Sequence, residues 1–185
     1  MIGGFNNMKK AENLQVCSSR TTEIAETINR KVSYCINQIE SEIPVGNNIS
    51  SLSGRNSVNV LLLGDYQDEL KITLEKTTSL PVTLLKFSKG MGHDKKKLNS
   101  TEQLNLFRTE FLEAIKRKGI VLCTDLDMIE FQFVCDYLVP ALDMCQDPST
   151  EVHRNPLCIL VATSNSDGSG HMHTVQARFN CILVL

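Results

Sequence analysis

Apolar residues along this chain keep two different rhythms, and the change from one to the other divides it into elements. From Thr22 onward, Ile24, Ile28, Val32, Ile36, Ile39 and Ile43 recur at spacings of three and four. That spacing lays one apolar stripe along a long helix, which Pro44 and Gly46 end. The polar, Gly/Ser/Asn-rich stretch 45–57 reads as a loop, and residues 1–20, which carry no period, as a flexible leader. Next, SVNVLLLGD (57–65) is a continuous apolar run of strand length. Such runs suit a strand covered on both faces of a parallel sheet.

The same alternation continues. A helix over 66–76 turns Leu70 and Leu74 inward, PVTLLKF (81–87) is a second strand, and 88–99 is a charged, glycine-containing loop. Ser100-Thr101-Glu102-Gln103 has the form of a capping box, and Leu104, Phe107, Phe111 and Ile115 then form one helical face. Lys116-Arg117-Lys118-Gly119 closes that helix, with cations at the negative end of its dipole. GIVLCTDLD (119–127) is a third strand, 128–145 a helix that Pro140 must break or kink, and LCILVATSN (157–165) a fourth strand. After a loop at 166–171 the tail VQARFNCILVL has strand character. Buried strands alternating with helices predict an α/β fold, a three-layer sandwich with a mostly parallel sheet and right-handed crossovers. Residues 21–185 form one domain in this reading, incomplete at its C-terminal side if the chain is a shortened form.

Composition narrows the choice of function. The 185 residues carry a net charge of −2 with no basic stripe beyond Lys95-Lys96-Lys97, which argues against nucleic acid as a partner. No apolar run reaches the roughly 18 residues of a membrane span, and MIGGFNNMKK lacks the apolar core of a signal peptide. Seven cysteines are scattered without a C-x-x-C pair, so a zinc site is not expected. Asn48-Ile49-Ser50 and Asn99-Ser100-Thr101 are glycosylation sequons in loop contexts; chance triplets are common, and with the cysteines they lean mildly toward a secretory lumen.

In open parallel sheets chemistry gathers at the carboxyl ends of the strands. Here those ends are Gly64-Asp65, the 88–94 loop, Thr124-Asp125-Leu126-Asp127 and Thr163-Ser164-Asn165. The series resembles an AAA+ ATPase: a phosphate loop, an acidic metal strand, then a polar sensor. The first station fails. A phosphate loop needs G-x-x-x-x-G-K-[ST], and counting from Gly64 those last positions hold Glu69, Leu70 and Lys71. Asp65, Asp68 and Glu69 would set carboxylates against phosphates, at a cost of about 4 kcal/mol per close pair at a semi-buried site. At the second station Asp125 and Asp127, two apart on a strand, would share a face and suit Mg²⁺; the competing reading is a helix-capping edge. Asn165 stands as the sensor, though Ser-Asn is also ordinary turn chemistry. His93, His153, His171 and His173 are dispersed, and no nucleophile elbow is present. Catalytic, cofactor-binding and metal residues are therefore not assigned, and no cofactor is expected.

From about Thr22 to Asn165 the order of motifs resembles one family, the luminal domains of lamina-associated polypeptide 1 and its endoplasmic-reticulum relative, the torsin activators. The features that carry this are the long first helix, the sequon at Asn48, NVLLLGD, Gly90-Met91-Gly92, the helix opened by Ser100, IVLCTDLD and LVPALDMCQD. The resemblance implies an AAA+-like core without nucleotide binding, docked on a torsin ATPase to which it supplies an arginine finger. It also implies a location in the endoplasmic-reticulum lumen or perinuclear space, a membrane-anchored parent, and a disulfide role for Cys145, whose C-terminal partner in the family has no match in this sequence. The family's arginine lies on a helix beyond the fourth strand, and no such helix is read before Leu185; Arg178 does not match it in context. Without the resemblance the chain is expected in the cytoplasm. Two rival readings stay open: a divergent AAA+ NTPase using Asp125, Asp127 and Asn165, and an inert shortened product that aggregates through exposed apolar strands.

Overall fold

The computed structural model describes residues 19–34, 37, 57–65, 68–86, 100–126, 129, 131–144, 151–165 and 175–185. Helix α1 covers 19–34 and residue 37, so it already includes Ser19 and Arg20. Then come β1 (Asn59–Leu63), α2 (Asp68–Thr78), β2 (Val82–Lys86), α3 (Ser100–Ile115) and β3 (Gly119–Thr124). Helix α4 is composite: Phe131–Phe133, a π-helical turn at Val134–Leu138, and Val139–Leu142. Strands β4 (Cys158–Ser164) and β5 (Cys181–Val184) complete the sheet.

The sheet order is β2-β3-β4-β1-β5, and every pairing is parallel. Alternate side chains of each strand go to opposite layers. Val60, Leu62, Ile120, Leu122, Ile159 and Val161 pack with Ile24, Ile28 and Val32 of α1 and Leu70 and Leu74 of α2. Leu61, Val121, Cys123, Leu160 and Ala162 pack instead with Phe111 and Ile115 of α3 and Phe133, Val134 and Leu138 of α4. Helices therefore cover both faces, as the alternation of elements requires. All residues of β3 and β4 are buried, the signature of strands with a helix layer on either side.

Topology explains which helix lies where. The step from β1 to β2 passes over β4 and β3, whereas the steps from β2 to β3 and on to β4 run back the other way. Crossovers of one hand then put α2 on one face and α3 with α4 on the other, which is the division the two core clusters show. From β4 to β5 the chain moves in the α3 and α4 sense, and Val175 and Phe179 of that connection join their layer.

Some boundaries differ from the expectation, for local reasons. Helix α3 ends at Ile115, and Arg117 N–H turns back to Ala114 O (3.2 Å), so the cations follow the last helical turn instead of filling it. Gly119 then opens β3 at φ +147°, where a Cβ would lie 2.7 Å from Pro81 O. In α4 the expected break at Pro140 takes the form of a wide turn: Val139 N–H bonds to Val134 O. Pro140 falls in the first turn of the following α-helical piece, where a missing N–H is least costly.

Candidate functional site

Because β1 leads into α2 on one face and β4 leads into a connection on the other, the chain parts in opposite directions between these neighbouring strands. In doubly wound sheets such a point opens the crevice used for ligands. Gly64-Asp65 stands on one side of it and Ser164-Asn165 on the other, with Thr124-Asp125 one strand further along. Gly64, Asp65, Asp125 and Asn165, separated in sequence, thus share one edge of three adjacent strands. Gly64 N–H bonds to Ser164 O (2.9 Å), and Asp125 N–H bonds to Thr163 Oγ1 (3.3 Å). Thr124, Thr163 and Ser164 are buried, Asp125 is half-buried, and Asp65 and Asn165 are exposed.

The end of β1 is filled by protein. Gly64 adopts φ +137°, and a Cβ there would stand 2.8 Å from Cβ of Leu185, whose N–H bonds to Leu63 O (2.8 Å). Leucine and backbone thus lie against the glycine that would have to begin a phosphate cradle. The first turn of α2 carries Asp68 and Glu69, which offset the helix dipole that would otherwise draw an anion. Asp68 pairs with Lys86 at the end of β2 (3.4 Å), on the far side of β4 and β3 from β1. Lys71, the cation nearest a phosphate-loop position, faces Glu75 one helical turn on (3.8 Å).

At the second station the geometry departs from the strand argument. Strand β3 stops at Thr124, and Asp125 takes φ +61°, a left-handed conformation that aspartate tolerates better than most residues. Its carboxylate accepts a bond from Thr124 Oγ1 (3.2 Å). Leu126, next along, is buried in the α3 and α4 layer. A shared strand face for Asp125 and Asp127 therefore has no strand to stand on; Asp127 itself lies outside the described residues.

Other sequence candidates fall as follows. His153 is exposed; His93, His171, His173, the Gly90-Met91-Gly92 segment, the sequon residues Asn48 and Asn99, and Cys145 lie outside the described residues. Cys123, Cys135, Cys158 and Cys181 are free thiols. Burial pushes the Cys123 thiol far above its usual range, with a smaller push from Cys158. Cys158 is likewise raised by burial, against an opposing pull from Arg154. Among the described residues no group of three or more His, Cys, Asp or Glu gathers to hold a metal ion, and no helix is long and apolar enough to cross a membrane. Arg178, between β4 and β5, is paired with Asp143 (3.1 Å) near the amino ends of the strands, away from the switch point at their carboxyl ends.

One heavily bonded side chain among the described residues was not singled out by the sequence at all. Arg154 is buried and donates five hydrogen bonds: to Asn59 Oδ1 (2.6 Å), Ala141 O (3.0 Å), Val58 O (3.1 Å) and twice to Cys158 O (2.7 and 3.2 Å). Asn59 passes the network on to Leu142 O (3.0 Å), and its own N–H is received by Asn180 Oδ1 (3.0 Å). One guanidinium thus ties the starts of β1 and β4 to the end of α4. This knot lies at the opposite edge of the sheet from the switch point and is architectural. No family model matches the chain, and no curated protein matches its sequence.

Proposed function

We propose that this chain acts by surface contact and not by chemistry, as a noncatalytic AAA+-like interaction domain whose partner is a torsin-type ATPase. The observation that supports the first half is the closed end of β1, where Leu185 packs on Gly64 and carboxylates follow in place of phosphate-binding groups. A triphosphate brought there meets both a steric and an electrostatic barrier, so no nucleotide cofactor is bound. The partner rests on the resemblance carried by NVLLLGD, IVLCTDLD and LVPALDMCQD, in a sheet that sets β3, β4 and β1 side by side. Arg178 is held by Asp143 at the far edge, so docking does not deliver an activating arginine from this position. The compartment that goes with this reading is the endoplasmic-reticulum lumen or perinuclear space, with Asn48 and Asn99 as candidate glycosylation sites.

Co-purification with a torsin locked in its ATP-bound state tests the partner. A complex at micromolar concentration is expected, and its absence would remove the torsin assignment. Titration calorimetry with Mg-ATP tests the noncatalytic half separately. No saturable heat is expected; binding that disappears in Asp125→Ala would favour a divergent NTPase built on Asp125, Asp127 and Asn165.

A further inference from the structure

We draw no further inference here: the strongest candidate, the outer edge of β5 with Ile182 and Val184 exposed and no described strand paired beyond it, carries nothing because nothing in the structure shows what covers it.

Discussion

Arg154 shows how a charge can be buried without being wasted. Four of these five hydrogen bonds go to backbone carbonyls and one to Asn59 Oδ1, so acceptors at the ends of three elements would lose this donor if it were removed. Arg154→Met removes this donor from all of them and leaves Val58 O only its bond from Leu160 N–H (3.1 Å), so unfolding in urea should show a loss of about 3 kcal/mol. Arg154→Lys should recover only part of this, since one ammonium cannot span the fork of acceptors. Nothing in EVHRNP announces such a role: an arginine in a polar, proline-containing stretch reads as solvated, and its acceptors come from residues far away in sequence. Two described glycines of positive φ, Gly64 and Gly119, make a second comparison. A Cβ at Gly119 meets Pro81 O, which is already held by Ile120 N–H (2.9 Å) and has little freedom to move. At Gly64 the Cβ meets a side chain. Each alanine substitution should cost about 1–3 kcal/mol from backbone conformation alone. Denaturation midpoints should then show Gly64→Ala partly rescued by Leu185→Gly, while no side-chain truncation rescues Gly119→Ala.

Helices and strands were largely legible because their periods were. Leu70 and Leu74 on α2, Phe111 and Ile115 on α3, and the fully apolar runs of β3 and β4 are buried where the pattern puts them. Ends were less legible. Helix α2 runs to Thr78 and is closed by Ser79 at φ +55°, with Ser79 N–H on Glu75 O (3.1 Å). That is a left-handed cap made without the glycine that normally advertises one. The packing of α3 on α4 centres on Phe133, whose ring lies 5.1 Å from Phe107, 5.5 Å from Phe111 and 5.2 Å from Tyr137 between centroids. Phe133→Ala should cost about 3–5 kcal/mol by thermal or urea unfolding, the range for a large aromatic emptied from a core. The cysteines divide by their element. Exposed Cys135 on the π turn should alkylate quickly in the native protein, whereas Cys123 and Cys158 within β3 and β4 should react only on unfolding, as residue-resolved mass spectrometry can follow. Because burial raises both thiols, they remain protonated when folded and ionise only when unfolded. Their linked stability is therefore intact below the usual thiol value of about 8.5 and declines as pH rises beyond it.

For the molecule as a whole, the switch point could be located from sequence only as a set of strand ends. Which ends adjoin depends on strand order, and Val, Ile and Leu runs of similar composition carry no label for their neighbours. The β2-β3-β4-β1-β5 order sets the Gly64, Ser164 and Asp125 ends together and leaves the end of β2 outside that group. The departure from a phosphate-loop pattern was visible as missing glycine, lysine and hydroxyl positions at Glu69, Leu70 and Lys71. That Leu185 would lie against Gly64 was not, since the contact joins the first strand to the last. The turn at Asp125 was also hidden, because a left-handed aspartate looks like any other in a sequence.

Strand order has a consequence for how the chain comes together. β1 is paired on both sides, yet its partners begin only with Leu160 opposite Asn59 and Cys181 opposite Val60. A ribosome would therefore release the apolar run NVLLL long before either neighbour exists. During that interval it must be sheltered by α1 and α2 or by a chaperone, and long-range parallel pairing of this kind is slow. This interior strand is thus the first of the described strands to be made and the last to be enclosed.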